Sequence, residues 1–189
     1  MNLQKLKELV DFAIDDCQLI IQKDPMVVLS EGDFERLLAD CISKRIGYYP
    51  GLSKPNDYAV HSQITHYNNE KEELDARVDI LLAKPTDIKP DKTLNKNFVI
   101  FQSAESFAIE LKYRHDDNFA CVTAAKEDID KVIKYKDDSY YYAIILLDRN
   151  MNTNNHIDDI KKYYEAKIEE LDENNKRKFF CRVLVKEIE

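Results

Sequence analysis

The chain has 189 residues, 44% of them apolar and 34% charged, with a formal net charge of −8. That length and balance predict one domain, 1–189, with enough chain to bury a proper core. No run of about 18 apolar residues and no charged-then-apolar leader occurs, which argues against a membrane span, a membrane partner or a secretion signal.

Leu3, Leu6, Leu9, Val10, Ala13, Ile14, Cys17, Ile20 and Ile21 recur at helical spacing and predict an N-terminal helix over 3–22, within a segment 1–25 that Asp24-Pro25 ends. Ser30 is a good N-cap for a second helix, with Phe34, Leu37, Leu38, Cys41, Ile42 and Ile46 inward. It opens a core segment, 30–147. Glu31 and Glu35 border the apolar stripe one turn apart. Each reads either as compensation of the helix dipole or as a carboxylate beside a site.

Tyr58 to Tyr67 alternates nearly in phase, and Asn68 to Glu72 reads as a turn into Asp75–Leu82, so the two runs predict a strand hairpin. Strict alternation puts Ala76, Val78, Ile80 and Leu82 on one face of the second strand and Arg77, Asp79 and Leu81 on the other. Residues 83–97 read as a mobile polar insertion, and Phe98 to Gln102 as a short strand. Ser106 to Tyr113 alternates again, with Ala108, Glu110 and Lys112 facing one way and Phe107, Ile109, Leu111 and Tyr113 the other.

After the polar loop that follows Lys112, residues 119–136 predict a helix with Val122, Ala125, Ile129, Val132 and Ile133 inward and Lys126, Lys131, Lys134 and Lys136 on or near its polar side. Tyr140–Leu147 is an apolar, buried strand, and strand–helix–strand at this length predicts a right-handed crossover between parallel neighbours. The segment 155–189 supplies a last helix (155–172) and a last strand (Phe179–Val185). Cys17, Cys41, Cys121 and Cys181 are widely scattered and read as small buried hydrophobes in a reducing cytosol, so a cytoplasmic protein is expected. The four histidines show no zinc-ligand spacing.

Asp79 and Glu110 each project from an otherwise apolar strand, and buried charge of that kind needs a compensating cation. Two converging carboxylates can hold a hard divalent ion. Lys112 lies on the same face as Glu110, roughly 6–7 Å along the strand, where it can position a water or neutralise a phosphate. Acidic-x-Lys also occurs at Asp87-x-Lys89, Asp159-x-Lys161 and Glu165-x-Lys167, but only Glu110-x-Lys112 lies in an alternating strand.

With Ser30-Glu31-Gly32-Asp33-Phe34 opening a helix, then Arg77-Val78-Asp79-Ile80-Leu81, then Ile109-Glu110-Leu111-Lys112 and a following helix and strand, the chain resembles the restriction-endonuclease-like nucleases of the PD-(D/E)-x-K superfamily over roughly 30–147. Val78 stands where the motif has proline, and the insertion at 83–97 lengthens the gap between Asp79 and Glu110. The resemblance implies an α/β fold, a mixed sheet flanked by helices with an N-terminal helical extension. It implies Mg2+ or Mn2+ held by Asp79, Glu110 and the Leu111 carbonyl, with Glu31, or Glu35 in its place, joining through water. Lys112 would orient or activate the attacking water. Lys126, Lys131 and Arg114 become candidate phosphate contacts, though the two helix lysines equally suit a solvated face.

The expected activity is metal-dependent hydrolysis of nucleic acid, DNA favoured, by a chain that can pair with itself or with another protein. The acidic balance predicts weak nucleic-acid affinity or dependence on a partner. Two alternatives stand beside it: a catalytically inactive module of the same fold that docks another protein, and an unrelated α/β interaction protein.

Overall fold

In the computed structural model the first two helices begin where short polar side chains cap them. Asn2 accepts the Lys5 amide ahead of α1 (Leu3–Lys23), and Ser30 accepts the Asp33 amide ahead of α2 (Glu31–Ile46). Gly47, at φ 68°, closes α2 in the left-handed conformation that glycine adopts without penalty. The structure describes residues 1–49, 51–52, 57–68, 73–90, 98–101, 105–115, 117–133 and 139–187, with backbone alone at 64–68, 73–76, 89–90 and 98–101. The turn residues 69–72, the insertion residues 91–97, and Lys134 and Lys136 lie outside them.

The strands are β1 (Ala59–Asn68), β2 (Glu73–Ala83), β3 (Ile88–Pro90), β4 (Phe98–Phe101), β5 (Phe107–Tyr113), β6 (Tyr140–Asp148) and β7 (Phe179–Lys186). They form one mixed sheet in the order β3-β4-β1-β2-β5-β6-β7. β1 and β2 are the antiparallel hairpin predicted from their alternation. β5, β6 and β7 run parallel, joined by α3 (Asn118–Ile133) and then by α4 (Thr153–Glu169) with the one-turn α5 (Glu173–Lys176).

Helices cover both faces. Leu6, Val10 and Ile14 of α1 and Phe34 and Leu38 of α2 bury against Ile109, Leu111, Ile144 and Leu146. Ala125 and Ile129 of α3 and Ile160 of α4 bury against Ala143, Ile145 and Leu147 on the opposite face. This is the helix-flanked mixed sheet with an N-terminal helical extension that the sequence predicts. Cys17, Cys41 and Cys121 are buried and Cys181 partly so, all as free thiols. No helix among the described residues is long and apolar enough to cross a membrane.

Two expectations need correction. The segment read as a mobile insertion opens with a 3-10 turn at Pro85–Asp87 and the edge strand β3, which pairs antiparallel with β4. Three residues are too few to show an alternation, and a proline at the end of an edge strand costs no ladder bond. The second correction concerns β2. Val78 packs with Leu81 and Ala83, whereas Ile80 and Leu82 join the α1–α2 core, so alternation breaks at Asp79.

A buried polar network anchors the carboxyl ends of the parallel strands, where α3 begins. Asn118 donates its amide to the Asp148 carbonyl at 2.7 Å and accepts the Asp148 N–H at 3.1 Å. The Asp148 carboxylate takes Tyr113 Oη at 3.1 Å, and Lys186, only 2% exposed, donates to Tyr113 Oη and to the Val28 carbonyl. These bonds fix the start of α3 against β6 and hence the register of its inward side chains. Asn118→Ala removes the acceptor of the buried Asp148 N–H, while Thr153 Oγ1 still donates to the Asp148 carbonyl at 3.0 Å, and is expected to cost about 1–3 kcal/mol in urea unfolding at neutral pH. A loss under about 1 kcal/mol would mean the network does not anchor the helix.

Candidate functional site

β5 pairs with β6 along its whole length, from Phe107 to Tyr113, but with β2 only at Ile80↔Ile109, Leu81↔Ala108 and Leu82↔Phe107. Beyond Ile109 the two strands part and leave a notch. Buried backbone donors require partners, and here carboxylates supply them. Asp79 Oδ2 accepts the Leu111 N–H at 2.8 Å, and Glu31 Oε2, from the first turn of α2, accepts the Tyr113 N–H at 3.2 Å. A strand residue presents its N–H and C=O to the same edge, so the Leu111 carbonyl shares the edge that faces Asp79.

The motif charges are met in crossing pairs from α3. Glu110, 4% exposed, receives Lys131 Nζ at 2.7 Å, and the same ammonium donates to the Arg77 carbonyl at 2.7 Å. Lys112 Nζ lies 3.1 Å from Glu31 Oε2 and 3.3 Å from Asp128 Oδ2. The Asp128 contact is a charge approach without hydrogen-bond alignment, and that buried oxygen has no hydrogen-bond partner among the described residues. Asp128 and Lys131 stand three residues apart on one helix face, answering Lys112 and Glu110 with opposite charges.

Burial pushes the Glu110 carboxyl up from 4.5 to about 7, against the pull of Lys131 and with further push from Asp79 and Asp128. Burial likewise raises Asp128, with Lys112 opposing. For Lys112 burial works downward, but the nearby Asp128 and Glu31 carboxylates outweigh it and leave the ammonium raised.

The sequence candidates are therefore distributed as follows. Asp79, Glu110, Lys112, Glu31 and the Leu111 backbone meet at the notch. Glu35 joins them from the next turn of α2 through Gln63, whose amide lies 3.2 Å from both Glu35 Oε2 and Asp79 Oδ1. Lys131 is drawn into the notch. Lys126 is not: its ammonium sits 2.7 Å from Asp159 on α4 and over the Tyr163 ring. Arg114 lies exposed in the loop after β5.

Gln63 and Asp128 escape the sequence reading. Asp128 left a signal, since it follows Ala125 by three residues and precedes Val132 by four, bordering the buried stripe of α3. Gln63 left none, because its place depends on a backbone turn that glutamine rarely adopts.

A hard divalent cation suits this chemistry. Glu31, Glu35, Asp79, Glu110 and Asp128 set five carboxylates against the ammonium groups of Lys112 and Lys131, and oxygen donors of that kind match Mg2+ or Mn2+. Among the described residues, however, no three such groups stand in ligating array, and Glu110 is turned onto Lys131.

No family model matches the chain, and no curated protein does. Among solved structures it is similar to NucC of E. coli MS115-1 in the cAAA-bound form, at 9% identity and TM-score 0.45, over 93% of this chain and 72% of that one. It is similar also to cAAA-bound NucC of P. aeruginosa ATCC27853, at 10% identity and TM-score 0.41, over 77% of this chain and 63% of that one, less than two thirds of its length.

The Glu110 shift has a signed consequence. Its folded value, about 7, exceeds the ordinary 4.5, so between those values the folded chain holds a proton that the unfolded chain releases. The stability this contributes is complete at low pH and is lost as pH rises through the folded value. Glu110→Gln removes the effect. Its stability relative to wild type should improve by on the order of 2 kcal/mol between about pH 5 and about pH 8 in urea unfolding. A pH-independent difference would show that Glu110 keeps an ordinary carboxyl.

Proposed function

We propose that this protein is a metal-dependent phosphodiesterase acting on nucleic acid, DNA favoured over RNA, with its reaction centre in the notch between β2 and β5. The observation that carries this reading is the meeting of Asp79, the Leu111 backbone and the Glu110-x-Lys112 strand where the sheet opens. Asp79, Glu110 and the Leu111 carbonyl would hold Mg2+ or Mn2+, with Glu31 or Glu35 reaching it through water. The ion would supply Lewis-acid stabilisation of charge on the phosphate.

The chain's own groups supply the rest. Glu31 and Asp128 keep Lys112 charged and aimed along the notch, so its ammonium can orient an attacking water or meet phosphate charge. Lys131 balances Glu110 through Oε1, and a carboxylate's remaining acceptor sites leave room for a cation. Arg114, exposed in the loop after the motif strand, would contact phosphate. Lys126, already paired with Asp159, contributes less.

A second reading, an inactive module of similar architecture that docks another protein, has one observation in its favour: Lys131 already satisfies Glu110. The two readings separate in one experiment, using single-stranded DNA, duplex DNA and RNA with Mg2+, Mn2+ or EDTA. The enzyme reading expects cleavage that EDTA abolishes and that Lys112→Ala lowers by about 10²-fold or more. Absence of cleavage on every substrate, together with a melting temperature that neither ion raises, would leave the docking module.

A further inference from the structure

Gln63 is the one non-glycine residue with positive φ among the described residues, at 61°. Left-handed backbone is unfavourable for an L side chain, and glycine is spared the cost. It sits inside β1, between the pairs Ser62↔Ile80 and Ile64↔Val78, opposite Asp79. Strain of this sort persists where the surroundings demand it. Here the demand is visible: Gln63 Nε2 stands 3.2 Å from Glu35 Oε2 and 3.2 Å from Asp79 Oδ1. The amide has two hydrogens, so it can serve both carboxylates at once.

The result is a fully oriented Asp79. Its Oδ1 takes the Gln63 amide while Oδ2 takes the Leu111 N–H. A carboxylate offers about four acceptor sites, so two donors fix its plane and still leave lone pairs for a cation. Glu35 is tied to the same amide from α2, which spaces two acidic groups that otherwise repel.

We infer that Gln63 is a positioning residue for divalent-ion binding: its left-handed backbone turns the side-chain amide onto Asp79 and Glu35 and holds both carboxylates at the edge of the notch. This rests on the metal-dependent reading proposed above. It adds a residue that touches neither metal nor substrate and acts through Asp79 and Glu35.

Two variants separate positioning from a merely structural role. Gln63→Gly removes the amide and also relieves the backbone; Gln63→Ala removes the amide and keeps the strain. Mn2+ affinity by titration calorimetry and metal-free melting temperature are measured for both and for wild type. The inference expects Mn2+ affinity to fall about 10- to 100-fold in both variants, the usual effect of removing a group that orients a ligand. The melting temperature of Gln63→Gly should equal or exceed that of wild type, so its lost affinity cannot be charged to unfolding. Wild-type affinity in Gln63→Gly would overturn the role of Gln63 and leave the metal reading intact. Absence of Mn2+ binding by wild type itself would overturn the metal reading and this inference with it.

Discussion

Two backbone amides without a strand partner organise the site. β2 leaves β5 after Ile109, so the N–H groups of Leu111 and Tyr113 face a gap inside a folded sheet. An unpaired buried amide costs about 1–3 kcal/mol, and each is satisfied by a carboxylate, Asp79 for one and Glu31 for the other. Acid is therefore drawn to one edge of β5 by hydrogen bonding of the backbone, before any ligand is considered. The strand's own alternation then adds Glu110 and Lys112, and the notch collects charge of both signs.

That charge is tolerated because α3 answers it residue by residue. Leaving Glu110 buried and alone would cost several kcal/mol; Lys131 supplies the countercharge, and the Arg77 carbonyl holds the ammonium in place. Asp128 does the same for Lys112, less completely, since its approach lacks hydrogen-bond alignment. The start of that helix is pinned to β6 by the reciprocal bonds between Asn118 and the Asp148 backbone, and its inward face packs on Ala143, Ile145 and Leu147. Site electrostatics thus depend in part on a hydrogen-bond network at the far end of a helix, on the other side of Tyr113.

Much of the architecture was legible in the sequence because it rests on periodicity. Alternation in Phe107–Tyr113 placed Glu110 and Lys112 with Ala108, away from Ile109 and Leu111, and the burial clusters divide the apolar members of the strand in the same way. Helical spacing located α1 to α4, and Ser30 marked the cap of α2. What escaped depends on tertiary contact. β3 is too short to carry a pattern. Asp128 stood beside a buried stripe, yet nothing in a lone sequence says that the lysine it faces is Lys112. Lys126 and Lys131 look alike in sequence, but the curvature of the helix surface sends one to α4 and the other to β5.

The break at Asp79 shows how a local backbone choice reshapes a site. If β1 and β2 alternated strictly, Asp79 would share a face with Leu81, opposite Val78, Ile80 and Leu82. Instead Val78 goes with Leu81 and Ala83, while Ile80 and Leu82 face α1 and α2. The residue across the ladder from Asp79 is Gln63, in the left-handed conformation. One turned residue in β1 therefore coincides with one lost alternation in β2, and both fall where β2 abandons β5. The notch, the orientation of Asp79 and the bridge to Glu35 all meet at this irregularity, and it is the irregularity, together with the acidic residues, that distinguishes this edge from the rest of the sheet.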